Sequence, residues 1–194
     1  MKTAITVTRA FTTVTLSALA LTGCSSNLAT NGTNHSGTNH EIKAEQNFSG
    51  ADIMFAQMMI PHHQQAVEMG ILAATRASSP EVIILAAEIK DEQSPEITQM
   101  KGWLKAAHAP LDMGHEMVMK GLLTDADMKR LAAASGAEFD TLFLEGMIGH
   151  HEGAIEMAKV VLDSNNAEVK SLAEAIVSSQ AEQINYMKAL LTSP

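Results

Sequence analysis

From about residue 48 onward, apolar positions recur every three or four residues, the period of an α-helix with one buried face. On a wheel of about 100° per residue, Phe55, Met59, His62, His63 and Ala66 share about one third of the circumference, with Glu68 pointing the other way. Phe143, Met147, His150, His151 and Ala154 do the same further on, with Glu156 opposite. The pattern predicts a first helix from about Ser49 to Ala77. Pro80, behind Ser78 and Ser79, opens a second that runs to about residue 107. Thr124 to Asp127 caps a short helix ending near Ala134. Ser135 to Glu138 reads as a capping box that starts the next long helix, and a last helix spans about residues 166–191.

The two histidine-bearing stretches are copies of one another. Met58-Met59-Ile60-Pro61-His62-His63-Gln64-Gln65-Ala66-Val67-Glu68-Met69 recurs, 88 residues later, as Gly146-Met147-Ile148-Gly149-His150-His151-Glu152-Gly153-Ala154-Ile155-Glu156-Met157, with Asp52 and Asp140 also in register. The second helix carries Ile89, Gln93, Glu96, Ile97 and Met100 on its core face. The last carries Ile176, Gln180, Gln183, Ile184 and Met187 at nearly the same offset. The duplicated unit is therefore a helical hairpin, and two hairpins predict an all-α four-helix bundle. Pro61 and Gly149 occupy matching places just ahead of the histidines. Pro61 is expected to kink its helix, and the pair points either to a widened site or to simple tolerance.

Inward imidazoles are costly unless something bonds to them. Gln93, Glu96, Gln180 and Gln183 are natural hydrogen-bond partners that would fix which ring nitrogen is free. Adjacent histidines lie about 100° apart on a helix, so each pair is expected to meet the other pair across the bundle. Met59 and Met147 place a thioether one turn from His62 and His150. Imidazole suits several transition metals, and thioether selects soft ions, above all Cu(I). Two readings stand: metal ligation by His62, His63, His150 and His151 with Met59 and Met147, or a hydrogen-bonded core. Taken singly, Met54, Met69, Met100, Met157 and Met187 read as packing.

Between the hairpins, Pro110 and Gly114 break helical continuity, yet Met113, His115, Met117 and Met119 crowd there. A loop has little core to fill, so this segment is expected to be a second, softer copper site. Residues 1–23 hold Lys2 and Arg9 ahead of an apolar run, a secretory signal. Leu21-Thr22-Gly23-Cys24 resembles a bacterial lipobox, which implies a lipidated Cys24 and an extracytoplasmic protein held on the cell membrane. Residues 24–47 are rich in Asn, Ser, Thr and Gly and read as a flexible tether; residues 48–194 form one domain. Cys24 is the only cysteine, so its lipidation leaves no thiol for a disulfide or metal.

A net charge of -9 argues against nucleic acid as a partner. A di-iron oxidase of the ferritin type needs Glu-x-x-His on two helices, and methionine stands at both corresponding places here. With no nucleophile elbow or phosphate loop either, the chain reads as non-enzymatic. Copper sequestration or delivery is the leading function. An envelope interaction module with structural histidines and a metal-dependent oxidoreductase are the alternatives.

Several of these features together resemble one known family. They are the paired Met-Ile-x-His-His-x-x-Ala-x-Glu-Met motifs, the Gln93-x-x-Glu96-Ile97-x-x-Met100 helix, and Leu123-Thr124-Asp125 leading to Ser135-Gly136-Ala137-Glu138-Phe139-Asp140. The family is domain of unknown function 305, and the resemblance covers about residues 48–192. It implies a ferritin-like fold and, for some members, extracytoplasmic copper binding through Met and His.

Overall fold

The structure, a computed structural model, describes residues 47–114 and 119–192. The signal peptide, Cys24 and all but the last residue of the tether lie outside the described residues, as do His115 and Met117. The described chain is all-α. Four long helices, α1 (Gly50–Arg76), α2 (Pro80–Ala106), α4 (Ala137–Lys159) and α5 (Ala167–Thr192), are joined by a short one, α3 (Asp125–Ala133). Packing is between helix pairs: α1 with α2, α4 with α5, and α1 with α4.

Local chemistry sets the boundaries. Ser49 and Asp52 form a reciprocal capping box on α1, Thr124 and Asp127 another on α3, and Ser79 caps α2 ahead of Pro80 at the first turn. At the end of α2, His108 adopts φ 52°, and Ala109 N–H reaches back to the Leu104 carbonyl. This is the left-handed exit usually given to glycine. The capping box expected at Ser135 to Glu138 does not form. α4 starts from Gly136, whose φ of 66° and lack of a side chain leave no cap, and Gly136 N–H instead donates to the Arg76 carbonyl. α1 continues as one helix through Pro61.

The core is divided in two. One apolar cluster joins the first half of α1 (Phe55, Met59), the second half of α2 (Met100, Trp103), the end of α4 (Ala154, Ala158) and the start of α5 (Val169, Ile176). The other joins the opposite halves: Met69 of α1, Leu85 and Ile89 of α2, Phe143 and Met147 of α4, and Met187 of α5. This pairing of halves means α1 and α5 run one way and α2 and α4 the other. The connection between α2 and α4 must therefore travel back along the bundle. Its α3 is part of the fold rather than a spacer, because fully buried Leu131 completes the second cluster. That is where the architecture departs from a strict four-helix bundle.

Hydrogen bonds trace the returning connector along α1. The Gln57 amide donates to the carbonyls of Pro110 (2.9 Å) and Asp112 (3.3 Å). Gln65 both donates to and accepts from the Leu123 backbone. Arg76 donates to the Ala134 carbonyl.

Candidate metal centre

Between the two apolar clusters lies a layer of polar side chains, one level of the bundle thick. α1 gives His62 and His63, α4 gives His150 and His151, α2 gives Gln93 and α5 gives Gln180. All six are buried, and the four histidines have no exposed surface. The expected meeting of the two pairs occurs between His62 and His150, whose ring centroids lie 3.7 Å apart.

Each imidazole is held through Nε2 by an oxygen that can only accept. His62 donates to the Lys120 carbonyl (3.3 Å) and His150 to the His62 carbonyl (2.8 Å). His63 donates to the Glu96 carboxylate (2.8 Å). His151 donates to Gln183 Oε1 (2.7 Å), and the amide nitrogen of Gln183 donates in turn to Glu92 (2.8 Å). Glu92 thereby fixes which way the Gln183 amide points. In the neutral ring all four therefore take the same tautomer, with the proton on Nε2 and a bare lone pair on Nδ1. All four Nδ1 atoms are buried and have no hydrogen-bond partner.

Burial keeps His62, His150 and His151 uncharged. It drives His62 down from 6.5 to about 3, helped by the neighbouring His63 and opposed by the bond to the Lys120 carbonyl. Burial, then the neighbouring imidazoles, pushes His150 well below its ordinary value. Burial lowers His151 to about 4 against the bond to Gln183, with His63 adding to the fall.

The sequence-predicted partners divide. Glu96 and Gln183 bond to histidine, whereas neither polar atom of the buried Gln93 amide finds a partner, and Gln180 Oε1 has none either. These amides stand on the helices opposite the histidines, at the level of the layer but not in bonding reach of a ring. Met59 and Met147 are fully buried, one in each apolar cluster. Met113 and Met119, at the two described ends of the connector loop, are half-buried. Among the described residues, no three of His, Cys, Asp or Glu stand where one ion could reach them all.

Sequence reasoning missed the strap that covers this layer. Lys120 and Gly121 lie across α4 so closely that a Cβ on Gly153 would sit 2.0 Å from the Lys120 carbonyl oxygen, and one on Gly121 would sit 2.4 Å from the Gly149 carbonyl oxygen. Lys120 also pairs with Glu156 across the strap. The two copies carried the signal: α4 has Gly146, Gly149 and Gly153 where α1 has Met58, Pro61 and Gln65. Gly149 is therefore one rim of a seat for the strap. Glu92, too, was invisible, since it acts only through Gln183.

The described residues define a helical protein with a buried histidine layer and methionines on either side of it. The chain belongs to the family described as Domain of unknown function (DUF305), whose model matches residues 52–191. Among solved structures it is similar to a DUF305 protein from Streptomyces coelicolor described as secreted. The two are 36% identical over 73% of this chain and 91% of that one, with a TM-score of 0.70. It is also similar to CopM in its Cu(I)-bound form (32% identity, 74% of this chain and 96% of that one, TM-score 0.62). CopM in its Cu(II)-bound form gives 32% identity over 72% and 94%, with a TM-score of 0.63. No curated protein matches the chain.

Proposed function

We propose that this protein is a non-catalytic, extracytoplasmic copper-binding protein that sequesters or delivers Cu(I), built on a ferritin-like pair of duplicated helical hairpins. The observation that carries the reading is the set of four buried Nδ1 lone pairs, each ring oriented by an Nε2–H bond to an oxygen. A metal-binding histidine typically has its other nitrogen held in just this way. Soft monovalent copper accepts two or three donors. That suits a layer in which His62 and His150 face one another across the bundle, with Met59 and Met147 as thioether donors one turn away. His62, His63, His150 and His151 are the inner ligands in this reading, with Glu96 and Gln183 orienting His63 and His151. Gln93 and Gln180 supply polar contacts to whatever the layer holds.

Similarity to CopM, solved with Cu(I), with Cu(II) and with silver, supports the same metal class. Met113, His115, Met117 and Met119 are a second, softer site on the strength of their spacing in the connector. A lipidated Cys24 would hold the protein on the outer face of the cell membrane, in keeping with the secreted relative. The test is metal content after purification, followed by Cu(I) titration against a competing chelator. Tight binding that falls by about 10–100-fold in Gln183→Leu, as expected for an orienting partner, supports the reading; absence of Cu(I) binding overturns it.

A further inference from the structure

Seven of the described methionines belong to the apolar clusters or pack against them: Met59, Met69, Met100, Met128, Met147, Met157 and Met187. Met54, Met58, Met113 and Met119 belong to neither. Met54, read from sequence as packing, is 43% exposed, and the other three are half-buried.

These four come from distant parts of the chain, yet the connector's bonds to α1 hold its two described ends against that helix. On the helical wheel Met54 and Met58 lie within about 20° of Gln65, the residue tied to Leu123 through both its amide atoms. They are thus on the α1 face that the connector follows. The connector is pegged to that face on both sides of its Met-rich segment. Gln57 holds the carbonyls of Pro110 and Asp112, immediately before Met113, and His62 holds the carbonyl of Lys120, immediately after Met119. Met58 sits between Gln57 and His62, and Met54 is one turn away from it. Thioethers at i and i+4 are neighbours on a helix, about 5–6 Å apart at Cβ, and methionine has three rotatable bonds with which to converge. The second copy carries Leu142 and Gly146 at the places of Met54 and Met58, so the feature belongs to one side of the molecule only.

We infer that Met54 and Met58 of α1, with Met113 and Met119 of the connector, form a thioether site for a soft monovalent ion, outside the histidine layer and next to the strap over His62. This extends the copper reading above and rests on it. The site adds Met54 and Met58 to the donors, and it lies closer to solvent than the fully buried histidine layer. Four neutral sulfur donors bind a hard or borderline divalent ion poorly and favour Cu(I) or Ag(I).

The experiment uses Ag(I), which has no redox chemistry here, added to protein carrying [13C]methyl-methionine and 15N-histidine. The expected result is that the methyl signals of Met54, Met58, Met113 and Met119 move together with the first equivalent. They should still do so in His63→Ala/His151→Ala, which leaves the strap's bond to His62 in place. In Met54→Leu/Met58→Leu, which keeps the apolar volume, silver stoichiometry should drop by one equivalent. The imidazole signals should still respond, and the unfolding midpoint in chelator should be unchanged. Histidine signals that titrate while Met54 and Met58 stay still overturn the outer site and leave the copper reading standing, as does undiminished stoichiometry in the double variant. Silence of methyl and imidazole signals alike overturns both.

Discussion

At the scale of single residues, what distinguishes this layer is its protonation state. His62, His150 and His151 are held neutral by burial, with folded values of about 3 for His62, about 4 for His151 and well below 6.5 for His150. The consequence for stability has a definite sign. Above pH 6.5 folded and unfolded rings are both neutral and contribute no pH dependence. Below 6.5 the unfolded chain takes up protons that the folded chain refuses, so stability falls as pH falls. The fall continues until the rings titrate in the folded state, near 4 and 3. Each ring contributes a slope of up to about 1.4 kcal/mol per pH unit, and three together approach roughly 4. Urea midpoints measured from pH 7.5 to 5 should therefore drop steeply below 6.5, and saturating Ag(I) should blunt the drop. A flat profile over that range would mean the rings charge freely in the folded protein.

Glu92 matters at the same scale because it points the Gln183 amide. In Glu92→Ala that amide is free to turn its NH2 toward His151, which would move the ring proton to Nδ1 and remove a lone pair. Long-range 1H–15N spectra should report the change of tautomer at His151 alone. In Glu92→Ala/Gln183→Glu an oxygen that can only accept again faces the ring, and the original tautomer should return. An unchanged His151 spectrum in Glu92→Ala would show that the bond to Gln183 needs no outside help.

At the scale of elements, the connector is what turns two similar hairpins into an asymmetric molecule. The glycines it touches on α4 are not equivalent. A Cβ at Gly153 would meet the Lys120 carbonyl oxygen at 2.0 Å, whereas one at Gly149 meets nothing within 4 Å. Gly153→Ala must lift the strap and strip His62 of its acceptor, a loss of about 1–3 kcal/mol that should also speed amide exchange at Lys120 and Gly121. Gly149→Ala should be neutral or stabilising by up to about 1 kcal/mol, since alanine is the better helix former. Equal effects at the two positions would count against the strap. The helices themselves were legible in the sequence because apolar period and caps are local signals, and the inward histidines followed from the same wheel. The strap was not, because its contacts are a backbone carbonyl and bare glycine faces, which leave no periodic trace. Asp52 and Asp140 show the same limit from the other side. They share a register, yet Asp52 caps its own helix while Asp140 accepts from the backbone of Ser78 and Ser79 at the start of α2.

At the scale of the whole molecule, the polar layer cuts a continuous apolar core into two halves, and that is a thermodynamic disadvantage unless the layer is kept for another reason. Four buried lone pairs and the unpartnered Gln93 amide are groups that a purely structural core would replace. Apolar side chains of similar volume in place of buried polar partners are often neutral or stabilising. His63→Leu/His151→Leu tests this directly. Glu96, whose side chain is 19% exposed, can turn to solvent when His63 is gone, and Gln183 keeps its bond to Glu92. If the layer exists to hold a soft ion, the double variant should unfold in chelator at the same or a higher midpoint. It should also lose most of the stabilisation that Cu(I) or Ag(I) confers on the parent, a gain that scales with ligand concentration relative to Kd. If the histidines are instead a hydrogen-bonded core, the same variant should lose more than about 2 kcal/mol without metal, and added metal should stabilise parent and variant alike.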